Sequence, residues 1–255
     1  MFVVYIYTIN RCVIQHISFV FPVYMQYFRS IFQFEGMPKK YTTVIFDLDG
    51  TLMDTLADLA ASTNYALSEM GFPTRSVDEV RAFVGNGVRK LVERAVPAGV
   101  GASCVDEVLA LFRTHYALHC KDHSAPYEGI ADALARMRNA GFQMAIVSNK
   151  PDSEVKQLNR EFFAGLIEVA VGENEKAGIP KKPSPEMLEG AMRLLGAEKD
   201  KCLYVGDSDV DILTATNAGV DCLSVTWGFR SADFLVAHGA VHLVDRPCQL
   251  LDFLN

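Results

Sequence analysis

The sequence predicts an α/β protein with a doubly wound, mostly parallel sheet and a helical domain inserted after the first strand. Two observations lead to this fold class. From Tyr41 onward, short runs of β-branched residues alternate with segments whose apolar residues recur at helical spacing. Residues 56–125 interrupt this alternation, because they hold helical patterns and no convincing strand. Parallel strands need a crossover connection, and a helix between two strands supplies one. The alternation therefore favours a parallel, Rossmann-like sheet covered on both faces.

Six runs of residues have the composition of strands, and helical patterns lie between them. Three of the helical stripes stop at a glycine, namely Gly141, Gly196 and Gly219, as helices commonly do. In such sheets, functional groups gather at the carboxyl ends of the strands. The strand runs read, in chain order, TTVIFD, QMAIVSN, IEVAVG, KCLYVGD, CLSVTW and VHLV.

The inserted region predicts four helices. The first has an apolar stripe that runs from Leu56 to Met70 and stops at Gly71. We expect the sheet to resume near Pro126. The other three helices are predicted from the segments SVDEVRAFV, GVRKLVERAV and SCVDEVLALFRTHYALHC.

This pattern divides the chain into three parts. We expect a core built from residues 37–55 and 126–255, with residues 56–125 as the helical domain. Residues 1–36 belong to neither, since they lack the basic start and cleavage site of a secretory signal and polar residues interrupt every long apolar run. Because Met37 opens a segment that reads like a natural beginning, we hypothesise that translation starts there. The rival hypothesis is that the extension is a membrane anchor.

Composition narrows the classes of partner. The formal net charge is -7 and the pI is about 5.4, which argues against wholesale binding to nucleic acid or to an anionic membrane. The six cysteines form no CxxC pair and are interpreted as free thiols in a reducing cytosol. We therefore expect the core to be a cytoplasmic protein with no membrane association, either a monomer or a homodimer.

Polar side chains follow the predicted strands at the points where the strands end. If the sheet is parallel, these groups meet along one edge. Converging carboxylates need a cation, and all-oxygen ligands suit Mg²⁺. A lysine and backbone amides beside that ion would form an anion pocket, and together they describe a site for phosphoryl transfer. The residues concerned are Asp47, Asp49, Ser148, Asn149, Lys182, Asp207 and Asp211.

At these residues the sequence resembles the haloacid dehalogenase-like hydrolases, from about Lys40 to the C-terminus. Four motifs occur in the family's order: DLDGT, VSN, the KPSP segment that begins with Lys182, and GDSDVD. The segments FVGNGVRKLVERA, NKP and VTWGFRS are similar to those of the phosphoglycolate phosphatase branch. The resemblance implies a helical cap domain over a Rossmann-like core.

The resemblance also implies roles for the acidic residues. Asp47 would be the nucleophile that forms an aspartyl-phosphate, and also a ligand of Mg²⁺. Asp49 would act as the general acid and base, and its main-chain carbonyl would bind the metal. Asp207 would be the second side-chain ligand, and Asp211 would support the metal or its waters.

A second set of residues is expected to bind the substrate. Ser148 and Lys182 would hold the phosphoryl oxygens, with help from Asn149, Gly50 and Thr51 and the amides around them. In the inserted region, Arg89 follows a GNG segment at a helix start, where free amides favour anions. Arg89 could pair bidentately with a substrate carboxylate. The alternative, a surface arginine with no such role, stays open.

Several other candidates have simpler interpretations. Asp54 is expected to cap the helix that follows, and Asp209 to face solvent. Lys181 is interpreted as the solvated neighbour of Lys182, and Trp227 as a packing residue. A zinc site is not expected from the cap histidines, since no cysteine or further carboxylate is clearly recruited. These histidines are His115, His119 and His123.

The sequence therefore predicts a magnesium-dependent phosphatase for a small phosphorylated metabolite, with 2-phosphoglycolate as the first candidate. Pyrophosphate, nucleotides and sugar phosphates are the alternative substrates that the resemblance leaves open. A catalytically inactive phosphate-binding module is a distant alternative, because such proteins usually lack the nucleophile or the acid, and both are present here.

Overall fold

The computed structural model describes residues 40–174 and 177–254. The hypotheses on residues 1–36 lie outside these ranges. Within them, no helix combines the length and the apolar character that crossing a bilayer requires. The strands are β1 (Thr43–Phe46), β2 (Met53–Asp54), β3 (Ala125–Pro126), β4 (Gln143–Pro151), β5 (Val169–Glu173), β6 (Cys202–Gly206), β7 (Asp221–Val225) and β8 (His242–Val244).

The helices follow the apolar periodicity of the sequence. Two of the longer core helices, Glu186–Leu195 and Asp209–Ala218, end on a glycine in the left-handed conformation, Gly196 and Gly219. The helices are α1 (Leu56–Glu69), α2 (Val77–Phe83), α3 (Val88–Ala95), α4 (Ala102–His119), α5 (Ile130–Asn139), α6 (Asp152–Phe162), α7 (Glu186–Leu195), α8 (Asp209–Ala218), α9 (Ala232–Ala237) and α10 (Gln249–Leu254).

The core is a six-stranded sheet in the order β5-β4-β1-β6-β7-β8, and each neighbouring pair is parallel. Its two faces bury separate apolar clusters. Val44 and Phe46 pack on one side with residues of α5, α6 and α10, whereas Ile45 packs on the other with residues of α7 and α8. This alternation is the period of two of a strand covered on both faces. The doubly wound fold predicted from the sequence is confirmed.

The inserted region forms the cap, a packed group of the four helices α1 to α4. Its own apolar cluster includes Leu67, Val80, Leu91 and Phe112. Each of the four predicted helices is present, within one or two residues of its predicted segment. The predicted limits of the two domains at residues 55/56 and 125/126 stay a prediction.

One detail of the prediction is wrong. Residues 126–129 do not resume the main sheet, because β3 pairs only with β2 in a two-stranded antiparallel ribbon. The main sheet resumes at β4. The short ribbon ties together the two chain segments that lead into and out of the cap, so it sets where the cap sits over the ends of the strands.

Candidate active site

Three neighbouring strands carry the polar residues to one edge of the sheet. Asp47 follows the last residue of β1, and Asp207 follows the last residue of β6. Phe46 of β1 is in register with Ile146 of β4 and Val205 of β6. Since these strands run in the same direction, the residues after them converge, as predicted from the parallel pattern.

Asp47 is held by a buried lysine. The Lys182 Nζ lies 2.9 Å from Asp47 Oδ1 and 2.8 Å from Asp211 Oδ1. It also donates to the Tyr204 hydroxyl at 3.0 Å. The Leu48 amide donates to the same Asp47 oxygen at 2.7 Å. Within the described chain, Asp47 Oδ2 makes no hydrogen bond, so this oxygen is left to face the cavity.

Asp47, Asp207 and Asp211 form a compact acidic cluster. One carboxylate oxygen of each lies within 4.8 Å of the others, and all three residues are buried. Burial and the charges of Asp211 and Asp49 raise the pKa of Asp47 to about 7, against the opposing effect of Lys182. Burial and the charges of Asp211 and Asp47 raise the pKa of Asp207 well above its ordinary value.

The cluster holds three carboxylates against the one ammonium group of Lys182. Three buried carboxylates with oxygen donors this close are a donor set that fits a hard divalent cation. Asp211 is the least available of the three. Its Oδ1 accepts from Lys182 and Tyr204, and its Oδ2 accepts from the amide and hydroxyl of Ser208 in the capping box of α8. We therefore infer that Asp211 orients Lys182 and contacts a metal only indirectly.

Asp207 is fixed by the chain that surrounds it. The Phe229 amide donates to its Oδ2 at 2.7 Å, and the Thr51 hydroxyl donates to its Oδ1 at 3.3 Å. Two glycines lie against the same side chain. A Cβ on Gly50 would come within 2.3 Å of Asp207 Oδ2, and one on Gly228 within 2.4 Å of Asp207 Cβ. Only glycine, which has no side chain, allows the Asp207 carboxylate to lie this close to the backbone.

Asp49 has a different set of partners. The Lys150 Nζ lies 2.9 Å from its Oδ1 and 3.2 Å from its Oδ2, and the Thr55 hydroxyl donates to Oδ1 at 2.7 Å. The same Lys150 nitrogen donates to the Tyr116 hydroxyl of α4 at 2.6 Å. Lys150 is 4 % exposed. Burial alone would lower its pKa, but Asp49 and Tyr116 outweigh this effect and raise it.

Asn149 connects the lysine segment to the cap. Its side-chain oxygen accepts from the Lys182 amide at 2.8 Å, and its nitrogen donates to the carbonyls of Lys182 and Gly85. Ser148 lines the cavity and accepts a hydrogen bond from the Lys150 amide at 3.3 Å. Both residues therefore lie where the sequence predicts them, although the Asn149 side chain is used within the protein.

The cap covers the cavity with apolar side chains. Leu59, Val88 and Leu91 line it from above, opposite the carboxylates. Arg230, in the loop after β7, donates to the carbonyl of Arg81 at 2.8 Å and to that of Val84 at 2.6 Å. These two carbonyls belong to the C-terminal end of α2, so Arg230 fastens the cap to the core.

Three predicted substrate contacts differ in the structure. Arg89 is not among the residues that line the cavity; it pairs with Asp106 at 2.5 Å, and its side chain is 45 % exposed. The Gly50 amide donates to the Met53 carbonyl at 2.9 Å, because the chain turns back there. Thr51 is buried and bonds to Asp207 instead of lining the cavity. In this arrangement, Gly50 and Thr51 position Asp207, and the Arg89 prediction finds no support.

The residues that were given simpler interpretations agree with the structure in most respects. Asp54 accepts from the Leu56 amide at the start of α1, and the Trp227 indole donates to the Thr51 carbonyl while its ring packs on the core. Asp209 is half-buried rather than fully exposed. The cap histidines have separate partners: His115 contacts Ser62, His119 contacts Asp122 and His123 contacts Asp58.

Comparison with known proteins assigns the family. A family model of the haloacid dehalogenase-like hydrolases matches residues 44–225. The chain belongs to the haloacid dehalogenase-like hydrolases. A phosphoglycolate phosphatase from Pseudomonas putida is 35% identical over 219 residues, which cover 83% of this chain and 76% of that protein. One from Colwellia psychrerythraea is 31% identical over 218 residues, which cover 82% of this chain and 94% of that protein.

Solved structures of this family share the fold. A crystal structure from Lactobacillus delbrueckii subsp. bulgaricus is 37% identical with a TM-score of 0.80, and covers 84% of this chain and 98% of its own. A predicted phosphoglycolate phosphatase from Haemophilus somnus is 26% identical with a TM-score of 0.78, and covers 86% of this chain and 100% of its own. Hydrolases of this family generally use a divalent metal, which agrees with the acidic cluster of Asp47, Asp207 and Asp211.

The site contains residues that sequence reasoning missed. Lys150, Tyr116 and Arg230 line the cavity, and none was assigned a role from the pattern. Lys150 had a usable signal, because it stands directly after SN at the end of an apolar strand, where a cation without a partner would be costly. The tyrosine had none, since it lies on an apolar stripe of α4 and only its hydroxyl reaches the site.

Proposed function

We propose that this chain is a Mg²⁺-dependent phosphatase that hydrolyses a small phosphomonoester, with 2-phosphoglycolate as its first substrate, through an aspartyl-phosphate intermediate. One observation carries the proposal. The Asp47 carboxylate lies 2.9 Å from the buried Lys182 ammonium group and within 4.8 Å of Asp207, in a cavity closed by the cap. A nucleophile, a phosphate-binding cation and a metal-binding carboxylate are thus adjacent.

The metal would be held by Asp47 and Asp207, with the Asp49 main-chain carbonyl as a further ligand taken from the family resemblance. When bound, Mg²⁺ supplies positive charge against the phosphoryl oxygens. This role fits the three carboxylates of the cluster, where burial and then the neighbouring negative charges raise the pKa of both Asp47 and Asp207.

Asp47 acts as the nucleophile in the proposed reaction. Lys182 and the Leu48 amide hold its Oδ1, which leaves Oδ2 to attack phosphorus. The Asp47–phosphorus bond forms while the bond from phosphorus to the ester oxygen breaks. Lys182 and the Ser148 hydroxyl stabilise the equatorial oxygens of the phosphoryl group, where charge develops.

Asp49 moves the protons in both half-reactions. It gives a proton to the departing ester oxygen, so that the product leaves as an alcohol. It then takes a proton from the water that attacks the phosphorus of the aspartyl-phosphate, which releases inorganic phosphate and restores the Asp47 carboxylate. Thr55 and Lys150 hold Asp49 beside Asp47 while it does so.

The cap excludes bulk water and limits the size of the substrate. Leu59, Val88 and Leu91 of the cap line the cavity, and this apolar lining suits a small organic leaving group. The resemblance to the phosphoglycolate phosphatases of Pseudomonas putida and Colwellia psychrerythraea supports a two-carbon acid as that group.

A substrate panel tests the proposal. Purified protein with Mg²⁺ is assayed against 2-phosphoglycolate, pyrophosphate, a nucleoside monophosphate and a hexose phosphate, alongside Asp47→Asn. We expect the highest kcat/KM for 2-phosphoglycolate and no turnover or labelled phosphoenzyme in the variant. If another member of the panel has a higher kcat/KM, that compound replaces 2-phosphoglycolate as the proposed substrate. Wild-type rates in Asp47→Asn would refute the mechanism.

A further inference from the structure

We propose that Lys150, assisted by Tyr116, is the specificity-determining residue that binds a carboxylate on the leaving group of the substrate. The inference rests on the proposed phosphatase function and extends it, because it names the chemical class of the alcohol. That class is a small 2-hydroxy acid, in which the carboxylate is bonded directly to the carbon that bears the ester oxygen. Lys182 would then bind the phosphoryl end of the substrate and Lys150 the carboxylate end.

The position of Lys150 relative to Asp49 gives the first argument. Asp49 serves the ester oxygen, and the Lys150 Nζ lies 2.9 Å and 3.2 Å from its two carboxylate oxygens. In 2-phosphoglycolate, one methylene separates the ester oxygen from the carboxylate carbon. A group that binds this carboxylate must therefore lie beside the acid that protonates the ester oxygen, as Lys150 does.

The second argument concerns the other cations around the cavity. Lys182 is held by Asp47 and Asp211 at the phosphoryl end. Arg230 donates both of its terminal nitrogens to carbonyls of the cap. Arg89 pairs with Asp106 outside the cavity. Of the three cationic side chains that line this cavity, Lys182, Lys150 and Arg230, Lys150 is thus the one in contact with Asp49.

The third argument is the donor count of the ammonium group. A lysine has three N–H donors. Lys150 directs them at the two Asp49 carboxylate oxygens, at 2.9 Å and 3.2 Å, and at the Tyr116 hydroxyl, at 2.6 Å. Its nitrogen borders the same cavity as Asp47. A substrate carboxylate in that cavity would take over the donor of the longer Asp49 contact, and low polarity there strengthens the new bond.

The electrostatics require such a cation for an acidic leaving group. A substrate carboxylate next to Asp49 would repel it and would also disfavour negative charge developing on the ester oxygen. Lys150 offsets both effects, and the Tyr116 hydroxyl keeps the ammonium group in place from the cap side. Neutral leaving groups gain nothing from this arrangement, so the pair should create a preference for an acidic one.

The test compares two substrates of similar size that differ in charge. The ratio of kcat/KM for 2-phosphoglycolate to that for ethyl phosphate is measured in the wild type, Lys150→Gln, Lys150→Arg and Tyr116→Phe. We expect Lys150→Gln to lower the ratio by about 10-fold to 100-fold, the range for one hydrogen bond to a charged group. Lys150→Arg should keep most of the preference, and Tyr116→Phe should lower it less than Lys150→Gln.

A matched control and a binding measurement separate specificity from general damage. Lys156→Gln makes the same chemical change at an exposed lysine on α6, which pairs with Asp152, and should leave the ratio unchanged. In the Asp47→Asn background, calorimetry with 2-phosphoglycolate and with ethyl phosphate reports binding without turnover. Adding Lys150→Gln should weaken only the first ligand. This readout does not depend on how the substitution affects proton transfer by Asp49.

The outcomes are distinguishable from those of the proposed function. If the wild type prefers 2-phosphoglycolate and Lys150→Gln has the same preference, the specificity role is refuted while the phosphatase remains. If the wild type hydrolyses both esters with no preference, the inference and the 2-phosphoglycolate assignment both fail, but phosphomonoester hydrolysis stands. Equal weakening of both ligands by Lys150→Gln would also overturn the inference.

Discussion

The Cα of Gly50 lies so close to the Asp207 carboxylate that a Cβ at this position would fall 2.3 Å from Asp207 Oδ2. Gly50 also has a φ of 86°. The close contact with Asp207 and the positive φ therefore both require glycine at position 50. The DG pair of the first motif is therefore needed to seat a carboxylate that comes from a strand more than 150 residues later in the chain.

Gly50→Ala should abolish most turnover, because the new methyl group displaces Asp207. We expect a loss of about 100-fold in kcat/KM, the upper range for disturbing a metal-site partner. Gly71→Ala is the matched control: Gly71 has a φ of 70° and nothing within 4 Å of the added Cβ. It should cost about 1 kcal/mol in unfolding free energy and leave kcat/KM unchanged. Equal activity losses in the two variants would contradict the steric argument.

Metal removal should stop turnover reversibly. We expect EDTA to abolish hydrolysis and excess Mg²⁺ to restore it, because the acidic cluster lacks compensating charge. Mg²⁺ at about 100 times its Kd should stabilise the wild type by about 2.7 kcal/mol, measured as a rise in Tm. Asp207→Asn should lose that rise, whereas Asp209→Asn, two residues further along, should keep it. Full activity in EDTA would exclude a metal requirement.

Asp58 links α1 to the chain that leaves the cap, and its contribution to stability should depend on pH. Its carboxylate accepts from the amides of His123 and Ser124 and from both of their side chains. Burial would raise its pKa, but these hydrogen bonds outweigh burial and lower it. The stabilisation is therefore complete above the unfolded pKa of about 4 and is lost as the pH falls through the lower folded value.

Asp58→Asn should lower the unfolding free energy by about 1–3 kcal/mol at pH 7, the range for a broken buried hydrogen-bond group. The difference from wild type should shrink as the pH falls below about 4, where the wild-type carboxyl also protonates. Urea titrations at several pH values measure it. Asp78→Asn, at an exposed residue of α2, is the control and should have almost no effect. A pH-independent deficit would show that packing, not charge, is what Asp58 supplies.

Arg230 should govern how tightly the cap closes. It donates to the carbonyls of Arg81 and Val84, so Arg230→Ala leaves the end of α2 unattached. We expect KM to rise roughly 10-fold, the effect of losing one charge-assisted hydrogen bond, with faster amide exchange over residues 77–91. Arg246→Ala, at an exposed arginine near the C-terminus, should change neither quantity. If amide exchange over residues 77–91 is unchanged in Arg230→Ala, Arg230 does not hold the cap on the core.

Arg89→Ala decides between the sequence hypothesis and the structure. The guanidinium group pairs with Asp106 outside the cavity and is half-exposed, so its removal should alter the kcat/KM for 2-phosphoglycolate by less than about threefold. The same assay on ethyl phosphate provides the reference. A selective loss of 2-phosphoglycolate turnover would restore the carboxylate-clamp hypothesis, in which the cap moves to bring Arg89 inward.

Local sequence patterns were sufficient to predict most of the strands and helices. The six strands and the four cap helices follow from the spacing of apolar residues, since burial of one face imposes the period of each element. Asp47 and Asp207 could be placed at one edge because parallel strands end together. The order of the four motifs along the chain was enough to indicate the family.

The contacts within the site depended on packing between distant segments. Lys150 and Tyr116 are 34 residues apart, and their hydrogen bond exists only because α4 crosses above the end of β4. From the sequence, either Arg89 or Lys150 could be a cation that binds substrate. In the structure, Arg89 is exposed and pairs with Asp106, whereas Lys150 is buried. Side-chain direction at such positions is set by the whole packed arrangement, which neighbouring residues do not encode. The sequence alone thus determined the fold and the convergence of the acidic residues, whereas tertiary packing decided which cation is buried beside Asp49.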